Sequence, residues 1–199
     1  MCGRYYIEED DMSGRLQYLV ETAGKKAEAR GLEVKTGEIF PTDIVPVIAD
    51  GRDLRPAVFP MRWGFPSARG DSTFINARSE TADTKPLFRD SAKYRRCLLP
   101  ATNYFEWAHN TGVKTKYSIK TPGQGIIYLA GLYTRSADFP YGEFTVLTRQ
   151  APESIAFIHD RMPVIIPENM ISRWLDQNED YRSMLSETAC DVEYSGSKI

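Results

Sequence analysis

The segment that decides the fold is YFEWAHNTGVKTKYSI at residues 104–119. Two runs rich in aromatic and β-branched residues flank Asn110-Thr111-Gly112, which is a strong signal for a β-hairpin. Alternation within the first run places Phe105 and Trp107 on one face of the strand and Glu106 on the other. This segment therefore predicts two antiparallel strands with one carboxylate set among aromatic residues.

Outside this hairpin, strand-like segments outnumber helical ones. Short apolar or β-branched runs predict strands at 5–6, 44–48, 57–66, 74–78, 97–100, 126–133, 144–148 and 163–166. Helical spacing or a starting proline predicts helices at about 10–24, near Glu80, at 152–158 and at 168–175. Pro46 pushes its strand toward a sheet edge or a bulge. Because the strands mostly follow one another, we predict an α+β fold: a single domain over residues 1–199 with a mostly antiparallel, barrel-like β core and peripheral helices.

The composition is that of a soluble globular protein. The 199 residues include 42% hydrophobic and 26% charged residues, enough for one compact domain with a sizeable core. No apolar run reaches the roughly 20 residues of a membrane-spanning helix, so no membrane association is expected. The first residues lack the apolar stretch of a secretory signal, and the mature start is expected at the N-terminus as written. We expect a cytoplasmic location, associated with the nucleoid if the source is bacterial.

Charge and cysteine content limit the kinds of site. The formal net charge of −2 gives no general attraction to nucleic acid, so a DNA-binding surface would have to be a local basic groove. Cys2, Cys97 and Cys190 are an odd number without paired spacing, which argues against a disulfide framework or a zinc site and for a reducing compartment. The two histidines lie far apart in the sequence, so no metal and no cofactor are predicted.

Cys2 is the first candidate catalytic residue. Removal of Met1 would leave an α-amine and a thiol on adjacent carbons, with ordinary pKa values of about 7.7–8.0 and about 8.5. The amine can attack an aldehyde to form an imine, and the sulfur can then close a five-membered thiazolidine ring. An internal cysteine cannot do this, because its nitrogen belongs to an amide. The alternative is that Cys2 is simply a small buried residue at the start of a strand.

Glu106 and His159 are the candidates for proton transfer. If the face that carries Glu106 lines a cavity, burial raises the pKa of the carboxyl toward neutrality; if it faces solvent, Glu106 is an ordinary surface residue. His159 lies in His159-Asp160-Arg161, a polar trio between apolar residues where a helix gives way to a strand. Such a boundary is a common place for a functional site, although the trio could equally form an ion pair and a helix cap.

Asn76 and Arg78 are two residues apart in a strand-like segment and therefore face the same way. An amide and a guanidinium on one face can hold a phosphate or orient a reacting group; the alternative is a solvated surface. Arg4, Arg62 and Arg161, with the aromatic Trp63 and Phe65, are further candidates for a surface that binds single strands.

These residues fall within motifs that occur together in one known family. The motifs, in chain order, are Met1-Cys2-Gly3-Arg4, Arg62-Trp63-Gly64, Ile75-Asn76-Ala77-Arg78-Ser79-Glu80-Thr81, Phe105-Glu106-Trp107 and His159-Asp160-Arg161-Met162-Pro163. In this order the sequence resembles the SOS-response-associated peptidase (SRAP) family from residue 2 to about 175. Each motif is weak alone, but their order together with a cysteine at position 2 is specific.

The resemblance implies covalent capture of abasic sites in single-stranded DNA through a thiazolidine at Cys2. It implies that Asn76 holds the reacting N-terminus and that Glu106 moves protons. His159 would assist opening of the deoxyribose ring or reversal of the crosslink. The implied DNA contacts are Arg4, Trp63, Arg78, Arg161 and Pro41. The family's peptidase label implies self-removal of residues before the cysteine, and an imine intermediate implies lyase-like cleavage of the strand.

Two departures from the family pattern concern residues outside the reacting centre. Glu38 replaces an asparagine in the family segment Tyr-Asn-x-Ala-Pro-Thr, of which Pro41 and Thr42 are present. A carboxylate there would repel phosphate, so no DNA contact is assigned to Glu38. The family's C-terminal Val-Ser-x-x-Val-Asn segment is not evident after Tyr194, which predicts a shortened edge strand.

Two other functions compete with DNA crosslinking. An N-terminal-nucleophile amidohydrolase would use the Cys2 thiolate against an amide, but it would leave the arginine and tryptophan motifs unused. A non-catalytic binder of single strands would make Cys2 incidental. For the favoured function the expected partner is single-stranded DNA that contains abasic sites, and a monomer is expected.

Overall fold

The computed structural model describes residues 2–9, 14–51, 53–67, 72–110, 113–135, 139–188 and 191–198. The strands are β1 (Arg4–Ile7), β2 (Gly37–Ile39), β3 (Ile44–Asp50), β4 (Pro56–Trp63), β5 (Phe65–Pro66), β6 (Thr73–Phe74), β7 (Asn76–Arg78), β8 (Arg96–Ala101), β9 (Asn103–Asn110), β10 (Val113–Lys120), β11 (Ile127–Thr134), β12 (Glu143–Gln150), β13 (Arg161–Pro163), β14 (Ile165–Ile166) and β15 (Glu193–Lys198). The helices are α1 (Gly14–Glu28), α2 (Arg89–Tyr94), α3 (Glu153–Ala156), α4 (Ile171–Leu175) and α5 (Tyr181–Glu187), with a 3-10 turn at Glu168–Met170.

Three sheets organise the described strands, and the smallest pairs β5 with β6. The first has the order β15-β10-β9-β1-β2, and its pairings are antiparallel. The second has the order β13-β12-β4-β3-β8-β11-β14, with β7 added beside β12. In that sheet β12 runs parallel to β4 and β7, and the other pairs are antiparallel. The predicted α+β class with mostly antiparallel strands is confirmed.

The second sheet also contains a pairing between β12 and β11. The ladders therefore lead from β12 through β4, β3, β8 and β11 back to β12. The barrel-like character of the core and its extent as one domain over 1–199 stay predictions. What the pairings establish for the site is that β12 has β4, β7, β11 and β13 as neighbours, so several chain segments converge on it.

Trp63 lies in the centre of the core rather than at its surface. Its ring is fully buried, stacks on Phe144 at a centroid distance of 6.1 Å and lies 5.3 Å from the Tyr5 ring. Its indole Nε1 donates a hydrogen bond of 3.0 Å to the Ile75 carbonyl. This bond joins the end of β4 to the residue just before β7, and so helps to fix where β7 begins.

Helix α1 packs against β3 and β4 through a stripe of buried residues: Leu16, Leu19, Ala23 and Ala27. Residues 10–13 of the predicted helix lie outside the described residues, and the helix continues to Glu28 instead of ending near 24. The charged end stays helical because Lys26 extends along the sheet: its ammonium donates to the Val58 carbonyl and lies 4.4 Å from the Phe59 ring centroid.

The predicted helix near Glu80 is wrong. Residues 79–88 form successive turns, and the next helix begins at Arg89. Pro86 explains part of the difference, because a proline disfavours the helical conformation of the residue before it. The paired Glu80 side chain, described below, also holds the first turn against the sheet.

The expectation that Pro46 marks an edge or a bulge is also wrong, because β3 lies between β4 and β8. Pro46 is tolerated there for a local reason. On one side it opposes Pro60 of β4, and on the other side β8 pairs only with Ile48 and Ala49. No ladder hydrogen bond to β8 is needed at Pro46 itself, so the missing N–H costs little.

The C-terminal region forms more structure than the sequence indicated. Helix α5, which was not predicted, begins after Asp180, whose carboxylate accepts a hydrogen bond of 2.8 Å from the Ser183 backbone N–H. Strand β15 pairs with β10 from Glu193 opposite Lys120 to Lys198 opposite Thr115. An edge strand thus forms without the family's C-terminal segment.

Candidate functional site

Asn76 holds the main chain at Cys2. Its side-chain Nδ2 donates a hydrogen bond of 2.9 Å to the Cys2 carbonyl, 74 residues away in the sequence. Asn76 is the first residue of β7 and pairs in parallel with Val146 of β12. Its Oδ1 is buried and accepts no hydrogen bond from the described residues. The structure thus brings together the two residues predicted to act at the N-terminus, and leaves an acceptor oxygen beside them.

The Cys2 thiol is fully buried, just before β1. Burial raises its pKa far above the ordinary value, and the nearby Glu106 carboxylate raises it further. Its Sγ lies 3.8 Å from the Arg4 carbonyl, to which it donates a hydrogen bond. At neutral pH the sulfur therefore carries its proton in this arrangement.

Glu106 lies on the core-facing side of β9. It is only 4% exposed, while Phe105 and Trp107 lie on the opposite side and are half-buried. The sequence left open whether Glu106 faces solvent or is buried, and the structure shows that it is buried. Burial raises the pKa of the carboxyl, and the Asp160 carboxylate raises it further. Glu106 is thus close enough to raise the pKa of the Cys2 thiol, and Asp160 is close enough to raise the pKa of Glu106.

His159 occupies the turn between α3 and β13. Burial lowers the pKa of its imidazole, against the opposing effect of Asp160. Its Nδ1 lies 3.0 Å from the Arg161 backbone N–H, which donates to it, and 2.7 Å from Asp160 Oδ1. A neutral Nδ1 can accept from the backbone, whereas a protonated one would donate to the carboxylate. The protonation state of the ring therefore selects between two partners.

Arg161 does not present its guanidinium to a ligand. Nη1 and Nη2 pair with the Glu80 carboxylate at 2.6 and 2.9 Å, and Nη2 also donates to the Thr148 carbonyl. These donors already have partners in this structure, and the side chain is only 13% exposed, so a phosphate contact at Arg161 stays a prediction that requires the pair with Glu80 to open. The same pairing lowers the pKa of Glu80.

The Trp63 ring is not exposed for stacking on a base in this structure, because it is fully buried among core residues. The structure places Trp63 in the core, and the DNA contact at this residue stays a prediction. Phe65, which the sequence grouped with it, is also buried. Arg62 forms an ion pair with the buried Glu143, so it too is held by the protein.

Arg78 is the predicted cation that remains available. Its side chain is exposed at the end of β7 and makes no hydrogen bond or ion pair with the residues that the structure describes. Beside it lies a groove of about 1010 Å³ whose walls are mainly aromatic and apolar. Asn76, Lys85 and Phe74 also contribute to the lining, so the groove begins next to the residue that holds Cys2. Sequence reasoning missed Lys85, which belongs to no strand or helix.

Arg4 lies on the outer side of β1 and is paired with Glu38. Glu38 also pairs with Lys116 of β10, a residue that sequence reasoning did not select. Pro41 follows the exposed Phe40 in the turn between β2 and β3 and is half-exposed. The predicted hairpin could have pointed to Lys116, because pairing of its two strands places Lys116 directly opposite Trp107.

Metal binding and membrane spanning find no support in the described residues. Among them, no three His, Cys, Asp or Glu side chains are grouped so as to hold a metal ion. None of the helices in that part of the chain has the length and apolar character needed to cross a membrane. Cys190 lies outside the described residues, while Cys2 and Cys97 are free thiols.

Comparison with known proteins identifies relatives along most of the chain. Abasic site processing protein YobE of Bacillus subtilis is 33% identical over 198 residues, covering 88% of this chain and 82% of the relative. Abasic site processing protein YoaM of the same organism is 31% identical, covering 88% of this chain and 79% of the relative. Abasic site processing protein HMCES of Xenopus tropicalis is 30% identical over 151 residues, covering 60% and 45%.

The fold is also found in solved structures. A crystal structure of a protein from Bacteroides thetaiotaomicron superposes with a TM-score of 0.78 at 21% identity, over 98% of this chain and 91% of that one. A phage-related protein from Bordetella bronchiseptica gives a TM-score of 0.74 at 20% identity, over 98% and 94%. The family model described as SOS response associated peptidase (SRAP) matches residues 1–196. The chain therefore belongs to the SRAP family.

Proposed function

We propose that this protein captures abasic sites in single-stranded DNA by forming a thiazolidine between the aldehyde of the lesion and Cys2, once Met1 is removed. The observation that carries the proposal is the hydrogen bond from Asn76 to the Cys2 carbonyl, beside the buried Glu106 carboxyl. In this proposal the terminal residue is held close to Glu106, whose carboxyl can donate or accept a proton. The relatives from Bacillus subtilis are named abasic site processing proteins, which supports the same lesion as substrate.

In this scheme the amine reacts before the thiol. Burial keeps the thiol protonated, whereas an α-amine has an ordinary pKa of about 7.7–8.0 and is partly unprotonated near neutrality. The nitrogen adds to the aldehyde carbon, and loss of one water leaves an imine. The sulfur then adds to the imine carbon while the thiol proton passes to the nitrogen. One C–N bond and one C–S bond form, and one water leaves.

Glu106 is the group that transfers protons in both steps. Its raised pKa allows it to donate a proton to the departing hydroxyl during imine formation. The resulting carboxylate takes up the proton that the nitrogen loses as the imine forms. During ring closure the carboxyl can then give a proton to the nitrogen while it accepts the thiol proton. The Asn76 Oδ1 acceptor can orient the terminal amine for its attack, because an amine N–H is the kind of donor that it lacks.

His159 acts on the sugar rather than on the cysteine. An abasic deoxyribose is mostly a closed ring, and its aldehyde appears only after the ring opens. A neutral imidazole, which the lowered pKa favours, can take the proton of the anomeric hydroxyl and return a proton to the ring oxygen as the bond between that oxygen and the anomeric carbon breaks. The same residue, acting in reverse, would assist release of the crosslink.

The DNA path runs along the groove beside Asn76. Arg78 and Lys85 supply positive charge there, while the exposed ring of Phe74 offers a face to an unstacked base. Arg4, on the outer side of β1, and Pro41, in the turn after β2, extend the candidate surface. A single strand fits this surface because its bases are free to stack.

Lyase-like and peptidase activities are side branches of the same chemistry. An imine that does not close to a thiazolidine can undergo elimination and cleave the strand. Self-removal of Met1 would give the peptidase activity in the family description. The high pKa of the buried thiol disfavours a general amidohydrolase, which needs a thiolate at the start of its reaction.

Denaturing electrophoresis tests the proposal. Protein with a free Cys2 terminus, verified by mass spectrometry, is mixed with single-stranded DNA carrying one abasic site. We expect a slow band that survives denaturation, disappears in Cys2→Ala and disappears when the α-amine is blocked. Cys97→Ala, which removes another buried thiol, is the matched control and should retain the band. A wild-type protein without the band would be a non-covalent binder or an amidohydrolase.

A further inference from the structure

The outer side of the first sheet carries a cluster that the chemistry at Cys2 does not use. Strand register brings Arg4 beside Phe105, and Lys116 beside Trp107, on the side that faces away from Glu106. Glu38 lies on β2, the strand next to β1, where it stands opposite Tyr6. We call Arg4, Glu38 and Lys116 the outer ionic cluster.

A single oxygen of Glu38 holds both cations. Its Oε1 accepts a hydrogen bond of 2.9 Å from Arg4 Nη1 and one of 2.8 Å from Lys116 Nζ. Partial burial raises the pKa of Glu38, but the hydrogen bonds from Lys116 and Arg4 outweigh it, and the pKa is lowered overall. The carboxylate is therefore charged at neutral pH and sits between the two cations as a bound anion would.

Aromatic rings lie under the same cations. The Arg4 guanidinium carbon lies 3.7 Å from the centroid of the Phe40 ring, and Lys116 Nζ lies 3.9 Å from that of Phe105. Such contacts keep both positive groups in place without neutralising them. The side chains of Arg4, Glu38 and Lys116 are 31%, 30% and 22% exposed, so solvent and a ligand can reach all three.

We propose that Arg4 and Lys116 form a subsite for a backbone phosphate of the DNA strand, and that Glu38 occupies it in the free protein as an internal competitor. The inference rests on the proposed function and adds a phosphate contact, Lys116, and a residue that sets affinity, Glu38. Two cations at one point attract a phosphate strongly, and a carboxylate bound to both cancels part of that attraction.

The biological consequence is a low binding affinity for undamaged DNA. Non-specific affinity for single strands comes mainly from cations that replace the counterions of phosphates. If Glu38 withholds two of these cations, the protein leaves undamaged strands readily, while covalent capture retains it at a lesion. Selectivity for damaged DNA would then come from the chemistry rather than from general affinity.

The opposite role for Glu38 makes a different prediction. If Glu38 served to position Arg4 and Lys116 for DNA, its removal would release two flexible side chains and weaken binding. Competition and positioning therefore predict changes of opposite sign for Glu38→Gln.

The test is the affinity for an undamaged single-stranded oligonucleotide, measured over a range of salt concentrations. We expect Glu38→Gln to bind about three- to tenfold more tightly at low salt, which is the effect expected from removing exposed ion pairs. Its salt dependence should become steeper by about 0.7 for each cation released to a phosphate. Glu168→Gln, which makes the same charge change in the separate pair with Arg15, is the control and should bind like the wild type.

A second variant tests the subsite itself. Lys116→Gln should cost little in the wild-type background, where Glu38 engages the ammonium, but should remove most of the gain in the Glu38→Gln background. Additive effects, or a Glu38→Gln protein that binds no tighter than wild type, would overturn the inference. A failure of the proposed function is seen separately, as tight or weak strand binding without any covalent band on abasic DNA.

Discussion

Glu106 and Glu38 belong to the same five-stranded sheet, but their acidities shift in opposite directions. Glu106 faces the core, where burial raises the pKa of its carboxyl. Glu38 lies on the outer side, where partial burial is outweighed by Lys116 and Arg4, which lower the pKa of its carboxyl. Alternation along the strands separates the two environments by the thickness of one sheet. One side is therefore suited to proton transfer, and the other is suited to binding charged groups.

This contrast separates two kinds of mutational effect. Changes on the core-facing side should alter the rate of reaction with little change in DNA affinity. Changes on the outer side should alter affinity and its salt dependence, with little change in the rate at saturating DNA. Variants on the two sides can test that separation, beginning with the largest expected effect.

Glu106→Gln is expected to slow covalent capture about 100-fold, because an amide cannot donate and accept protons and such groups typically contribute about 10²–10⁴ in rate. Affinity for an undamaged strand should stay within about twofold of wild type. The measurements are the rate of appearance of the denaturation-resistant band at saturating abasic DNA and a parallel binding titration. Glu38→Gln is the crossed control, with altered affinity and an unchanged saturated rate. Equal losses of rate and affinity in Glu106→Gln would assign Glu106 to binding.

The same variant should also change how stability depends on pH. Because the pKa of Glu106 is raised from an ordinary 4.5, the folded state keeps a proton that the unfolded state has lost. The free energy of unfolding of the wild type, compared with Glu106→Gln, should therefore fall as pH rises above about 4.5 and level off above the folded pKa. A folded pKa that lies one pH unit above the unfolded pKa corresponds to a fall of about 1.4 kcal/mol.

Urea unfolding at several pH values between about 4 and 8 measures this difference. Glu168→Gln, an exposed carboxylate variant, should show no comparable trend. A difference between wild type and Glu106→Gln that does not vary with pH would mean that the carboxyl has an ordinary acidity.

Arg78→Ala gives the smallest effect and tests the cations on the surface. Arg78 is available in the described structure, whereas Arg4 is engaged by Glu38. We expect Arg78→Ala to weaken binding of an undamaged strand about three- to fivefold and to reduce its salt slope by about 0.7. Arg4→Ala should have a smaller effect in the wild-type background. An unchanged salt slope in Arg78→Ala would remove Arg78 from the proposed DNA path.

The sequence could predict features that depend on local pattern. Strands β9 and β10 pair as the hairpin signal predicted, with Asn110 opposite Val113, and alternation within β9 separates Glu106 from its aromatic neighbours as expected. The strand-like character of β7 and the helix that follows Pro152 were also confirmed. These features need only contacts between residues that are close in the sequence.

Long-range pairs could not be predicted in this way. Arg161 pairs with Glu80, which is 81 residues away in the sequence, and Glu38 pairs with Lys116, which is 78 residues away. Trp63 resembles a surface aromatic beside an arginine, yet the packing of β4 against Tyr5 and Phe144 buries it. In each case the partner is set by sheet topology, which no local pattern specifies.

The hydrogen bond from Asn76 reaches the carbonyl oxygen of Cys2, an atom that every amino acid possesses. The contact therefore fixes the backbone at position 2 and does not itself involve the side chain of that residue. The side chain at position 2 is constrained separately, because that of Cys2 is fully buried and a larger group would have to displace its neighbours. The fold therefore constrains residue 2 in two independent ways, through a hydrogen bond to its backbone and through the packing around its side chain.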